Sequence, residues 1–92
     1  MERNFETNFG EIDIIAKDKD EYVFVEVKYR TDTASGFPEE AVTFRKMKTI
    51  SKVSDVYRAK KYISDFEPMR FDVIAISGEE IRWYKNAFEY TY

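Results

Sequence analysis

Apolar and charged positions alternate early in the chain, and the alternation falls into short runs. Gly10-Glu11-Ile12-Asp13-Ile14-Ile15 and Val23-Phe24-Val25-Glu26-Val27-Lys28 are rich in β-branched and aromatic residues, as strands are. Asp18-Lys19-Asp20-Glu21 lies between them and suits a tight turn with Lys19-Asp20 at its tip. That tip predicts a register in which Asp13 faces Glu26, Glu11 faces Lys28 and Ile15 faces Phe24. A slip of one residue would exchange the two faces and set Ile14 against Glu26. Glu2 to Thr7 reads as a short strand leading through Asn8-Phe9-Gly10 into this hairpin.

The period then changes. Thr31-Asp32-Thr33-Ala34-Ser35-Gly36 is a loop by composition, and Pro38 with Glu39 and Glu40 can open a short helical turn. Thr43 is a candidate N-cap for a helix running to about Ser64. Phe44, Met47, Ile50, Val53, Val56 and Tyr57 recur at steps of three and four, the period of a helix face packed on a core. Arg45, Lys48 and Lys52 form a different stripe. Pro68 closes the region. Met69 to Ser77 reads as a strand with Phe71, Val73 and Ala75 on one face and Asp72, Ile74 and Ile76 on the other. Asp72 is expected to pair with Arg70, and Ile81 to Asn86 returns as a hairpin partner after Gly78-Glu79. The order β-β-β-α-β-β predicts an α/β or α+β fold, a mixed sheet with one long helix packed on it.

Composition narrows the chemistry. The 92 residues are enough for one small domain, 1–92, without repeat or linker. With no cysteine and no histidine, disulfides, thiolate metal sites and histidine-based catalysis are excluded. No apolar run approaches the roughly 20 residues that span a membrane, and the N-terminus carries no signal-peptide pattern. An intracellular, cytoplasmic protein is the expectation. The net charge of −3 is unevenly spread. Phe44 to Lys61 holds seven basic residues against one acid, Asp55, whereas the remainder holds 8 basic against 17 acidic. A basic helix on an acidic scaffold suits phosphate binding over a metal site, or simply a solvated face.

The hairpin carries the candidate chemistry. Directly opposed side chains sit about 4.5–5.5 Å apart, where like charges repel. Asp13 and Glu26 therefore call for a cation between them, and two oxygen donors suit a hard divalent ion such as Mg²⁺. Lys28 adds a positive charge on the same face. A solvated hairpin face would carry such charges too, but Ile12, Ile14, Ile15, Val25 and Val27 around them point to burial.

Asp13 followed by Glu26-Val27-Lys28 on the next strand resembles the PD-(D/E)xK nucleases, the restriction-endonuclease-like superfamily, with spacing similar to archaeal Holliday-junction resolvases. GEIDIIA, VFVEVKYR, Gly36-Phe37-Pro38-Glu39-Glu40-Ala41-Val42, Arg70-Phe71-Asp72-Val73 and Asn86-Ala87-Phe88 resemble, in order, the YraN family of bacterial proteins. Ile12 stands where the superfamily motif has proline. Relatives usually begin with a helix of about two dozen residues, often bearing another acid, so the expected core lacks its first helix.

The resemblance implies an endonuclease-like protein that hydrolyses DNA phosphodiesters, with branched or recombining DNA as the target by analogy with the resolvases. Mg²⁺ or Mn²⁺ would be held by Asp13, Glu26 and the Val27 carbonyl. Lys28 would orient the attacking water or neutralise transition-state charge, or else pair with Glu11 across the hairpin. Glu11 is a candidate outer-shell ligand. Lys46, where relatives also tend to carry a base, is a candidate phosphate contact with Arg45, Lys48 and Lys52. Trp83, Tyr84, Phe88, Tyr90 and Tyr92 suit either base stacking or core and subunit contacts. The alternative function is a non-catalytic module that keeps the nuclease fold and binds nucleic acid or protein. One helix can cover only one face of the sheet, so the face bearing Val23, Val25, Val27 and Tyr29 is expected to meet a second copy in a homodimer.

Overall fold

The Lys19-Asp20 tip forms and sets the register of everything beside it. In the computed structural model, which describes residues 1–30 and 42–92, β1 (Glu2–Thr7), β2 (Gly10–Asp18) and β3 (Glu21–Arg30) run as an antiparallel meander. Asp18 lies opposite Glu21, Ile15 opposite Phe24 and Ile14 opposite Val25, the register that the tip predicts. The loop expected at Thr31–Gly36 and the helical turn at Pro38-Glu39-Glu40 lie outside the described residues. A parallel strand pair needs a long crossover. The segment containing α1 (Phe44–Lys60) supplies it, so that β4 (Met69–Ser77) joins β3 in parallel. β5 (Glu80–Phe88) returns antiparallel on β4, completing a five-stranded mixed sheet in sequence order with one helix, an α+β fold.

The helix closes one face of that sheet. Ile50, Val53 and Tyr57 meet Ile12, Ile15, Phe24, Phe71, Val73 and Phe88 in the core. Phe24 meets the Tyr57 ring edge-on at 5.9 Å, and Phe71 stacks on Phe88 at 5.0 Å; such pairs add about 0.5–1.5 kcal/mol each beyond burial. Thr43 caps α1 as expected, its Oγ1 accepting from the Lys46 N–H at 3.1 Å. Gly10, at φ 153°, starts β2 directly beneath the helix, where a Cβ would come within 2.6 Å of Thr49 Cγ2.

Two expectations for the helix need correction, and one feature of its inner face was not anticipated. Phe44, counted on the inward stripe, is 66% exposed because it opens the first turn, beyond the edge of the core. Ser51 and Ser54 are fully buried instead, small enough for the helix to settle closely on its neighbours. The helix also ends at Lys60, well short of Ser64. Tyr62 adopts a positive φ of 57°, with Tyr62 N–H donating to the Ala59 carbonyl and Ile63 N–H to the Arg58 carbonyl. This is a Schellman stop reached without glycine.

The other face is less covered. Cross-strand partners place Tyr29, Ile74, Ile76, Ile81 and Trp83 there together, and Tyr29, Ile81 and Trp83 are exposed. Among the described residues, no helix packs on that face.

Candidate active site

Asp13 stands where the strand ladders give way. β1 and β2 pair as Arg3–Ile14 and Phe5–Ile12, but the intervening Asn4–Asp13 pair is missing, and Asn4 has a positive φ of 54°. Asparagine tolerates that conformation better than most residues. The facing of both strands changes there. Glu2 and Phe5, three residues apart, both reach Tyr57: its hydroxyl donates to Glu2 Oε1 at 3.2 Å, and Phe5 meets its ring at 5.2 Å. Ile12 and Ile15, also three apart, both enter the core. A regular strand would send each pair to opposite faces.

On the β3 side, the last paired residues are Ile14 and Val25. Asp13 and Glu26, next in that register, form no ladder pair. The Asp13 carboxylate instead enters the gap, Oδ2 accepting from the Val27 N–H at 2.8 Å. A strand residue directs its N–H and C=O to the same side. The Val27 carbonyl therefore also points toward β2 and Asp13, away from β4.

Glu26 is the second carboxylate of the site and is only 5% exposed. Lys46 Nζ approaches its Oε2 to 3.2 Å, yet outside hydrogen-bonding geometry, so this buried oxygen accepts no hydrogen bond. Burial is the main reason the Glu26 pKa is pushed up to about 7. The neighbouring Asp13 carboxylate adds to the rise, and Lys46 opposes it. The two acids are thus brought together as the register predicts, in surroundings that disfavour two negative charges.

The remaining candidates divide. Lys28 follows Glu26 by two residues, on the same strand face, and is half-buried. Its ion pair with Glu11 does not form among the described residues, which leaves its ammonium without a described anionic partner. Lys46 turns toward Glu26, and its helical spacing from Ile50 was the available sign that it lies on the inward side. Arg45, Lys48 and Lys52 line a groove elsewhere on α1. Asp72 pairs with Arg70 at 3.0 Å as expected, on the opposite sheet face. Asn4 is the participant that strand propensity alone misses.

The donor set at Asp13 and Glu26 is all oxygen, and it fits a hard divalent cation. The observation in favour is the buried, unsatisfied Glu26 Oε2 beside a second carboxylate. Among the described residues, no third Asp, Glu, Cys or His joins them. Mg²⁺ commonly takes one or two carboxylates and keeps several waters. No helix of the described residues is long and apolar enough to cross a membrane.

Residues 1–76 match the model of a family described as uncharacterised protein family UPF0102. A UPF0102 protein of Lachnoclostridium phytofermentans is 45% identical over 89 residues, covering 97% of this chain and 75% of the relative. One from Clostridium botulinum strain Hall is 46% identical over 95 residues, covering 97% and 77%. Another, from Persephonella marina, is 42% identical over 92 residues, covering all of this chain and 78% of the relative. With matches of this extent, the chain belongs to the UPF0102, or YraN, family.

Proposed function

We propose that this protein is a metal-dependent nuclease of the PD-(D/E)xK type that hydrolyses DNA phosphodiester bonds, with branched or recombining DNA as its natural target. The observation that carries this reading is Glu26, a buried carboxylate with an unsatisfied oxygen held beside Asp13. Such a group costs stability unless a function keeps it. When bound, Mg²⁺ or Mn²⁺ supplies Lewis acidity toward the phosphate and acidifies water.

The chain's own residues do the rest. Asp13 and Glu26 hold the ion, joined by the Val27 carbonyl, whose N–H in turn fixes the Asp13 carboxylate. Lys28 orients the attacking water and offers a point charge to the phosphoryl oxygens as negative charge builds on them. Such a protein acts in the cytoplasm, where bacterial DNA lies.

One observation favours the second reading, a nuclease fold kept as a binding module. The Lys46 ammonium already answers the Glu26 charge without a metal. Cleavage assays separate the two. Labelled junction, single-stranded and duplex DNA, incubated with Mg²⁺ or Mn²⁺, are expected to be cut slowly by the wild type. Glu26→Ala and Lys28→Ala are expected to lose about a hundredfold or more in rate while staying folded. No cutting of any substrate with either metal sinks the nuclease reading and favours the binding module. Cutting that survives both substitutions removes these residues from the chemistry.

A further inference from the structure

The outer side of α1 carries a groove of about 760 Å³ that the metal-site reading leaves unused. Its lining includes Phe9 from the β1–β2 turn, Phe44, Arg45, Lys48 and Lys52 from the helix, and Tyr92 from the C-terminal segment. We propose that this groove binds single-stranded nucleic acid, stacking bases on Phe9 and Phe44 and seating phosphates on Arg45, Lys48 and Lys52. The proposal deepens the nuclease reading, from which it takes nucleic acid as the substrate, and adds that the bound segment is unpaired.

Aromatic exposure is the first observation. Phe9 is 54% and Phe44 66% exposed, although a phenylalanine ring gains free energy when it leaves water. The cations come next. Lys52 Nζ lies 4.7 Å from the Phe9 ring centre, and Lys48 Nζ lies 5.9 Å from that of Phe44. Each exposed ring thus has an ammonium within about 6 Å of its centre, so a surface for a base and a charge for a phosphate stand together at two places in the groove. A duplex keeps its base faces stacked inside and offers nothing to these rings.

Charge complementarity selects a polyanion over an apolar protein segment. The stretch Phe44 to Lys61 has seven basic residues against one acid, and that acid, Asp55, is engaged by Arg58 and the Tyr90 hydroxyl. The acidic remainder of the chain repels a polyanion elsewhere. The groove's second wall is also fixed in place, because Thr91 N–H donates to Ser51 Oγ at 2.9 Å. Arg45 borders the groove and its neighbour Lys46 reaches Glu26, so the groove and the candidate active site share the first turn of α1.

Fluorescence anisotropy in EDTA tests binding apart from cleavage. The probes are a fluorescein-labelled oligothymidylate of about a dozen nucleotides and a duplex of equal length. Wild type is expected to bind the single strand more tightly than the duplex. Phe9→Ala and Phe44→Ala should each weaken single-strand binding about tenfold, Phe44→Leu likewise, and Phe44→Trp should retain it. Lys48→Gln and Lys52→Gln should each reduce the slope of log affinity against log salt by about 0.7. Thermal melts confirm that the variants remain folded. Phe44→Leu binding as the wild type does, equal binding of single strand and duplex, or no binding at all would each overturn the proposal. The two readings can fail separately. DNA cutting with unaltered binding by the groove variants sinks the groove and leaves the nuclease. Binding lost in the groove variants, with no cutting by wild type in Mg²⁺ or Mn²⁺, does the reverse.

Discussion

Asp72 on β4 and Glu26 on β3 are carboxylates buried on adjacent central strands, at 0% and 5% exposure, with very different surroundings. Asp72 accepts from Arg70 Nε at 3.0 Å, Trp83 Nε1 at 2.8 Å and the Asn86 N–H at 2.9 Å. The β4–β5 register shifts beside it, and Asn86 turns to a positive φ of 52° where its N–H meets Asp72. Arg70 is itself shared with Asp18 and Glu21. Glu26 has one ammonium near it and an oxygen with no hydrogen bond. Both acids are removed from water and each has a cation beside it, but only Glu26 keeps a buried oxygen that accepts no hydrogen bond. Burial alone does not distinguish the two acids; the unsatisfied oxygen does.

The largest expected effect lies on the satisfied side. Asp72→Ala removes the acceptor shared by Arg70, Trp83 Nε1 and the Asn86 N–H; with hydrogen bonds to a charged group worth about 1.5 kcal/mol or more each, it should cost about 3–5 kcal/mol, read by urea denaturation. A loss below about 1 kcal/mol would show that the network holds nothing together.

Glu26 should behave in the opposite sense. Its folded pKa, near 7, stands above its unfolded value of about 4.5, so the folded state holds the extra proton between them. That contribution is fully present below about pH 4.5 and is lost as pH rises through 7. In chelator, wild type should lose up to about 3 kcal/mol across this window. Glu26→Gln should flatten the dependence and be the more stable protein at pH 8. Equal pH profiles for the two proteins would place Glu26 with Asp72 as a satisfied acid.

A smaller effect sharpens the same contrast. Mg²⁺ or Mn²⁺ at about ten times its dissociation constant should stabilise wild type by about 1.4 kcal/mol, seen as a raised Tm. Asp13→Asn should abolish most of that rise, and an equal rise in both proteins would remove the site. The smallest effect concerns the face on the Asp72 side, where Tyr29, Ile81 and Trp83 are exposed. Sedimentation at micromolar concentration is expected to give a dimer, and Ile81→Lys a monomer. A monomeric wild type would leave that face to another partner.

Much of this was legible in the sequence, for identifiable reasons. A two-residue tip leaves one register that sets Ile15 opposite Phe24 in the core, so the approach of Asp13 to Glu26 followed from counting. The strand Met69–Ser77 and its two faces followed from the same period. The change of facing at Asn4 and Asp13 did not, because one left-handed asparagine leaves a strand's composition unaltered. Nor did the end of α1, where Tyr62 stands in the conformation usually given to glycine. Lys46 reads as one base among several until its turn-by-turn distance from Ile50 is weighed. Phe44 fits the apolar period but lies before the core begins.

The crossover between β3 and β4 also has a kinetic consequence. Asp13 and Val27 are fourteen residues apart and belong to one hairpin, a unit that closes in about 1–10 µs in isolation. Pairing β3 with β4 must first close the loop that contains α1, and non-local closure of this kind is slow. The meander β1-β2-β3 is therefore expected to bring the two acids together early, while the burial that raises the Glu26 pKa arrives with the helix and β4. Substitutions at the Lys19-Asp20 tip should chiefly alter the folding rate, and those at the β4–β5 contact the unfolding rate. Stopped-flow measurements showing the reverse would mean that the parallel pair nucleates the sheet.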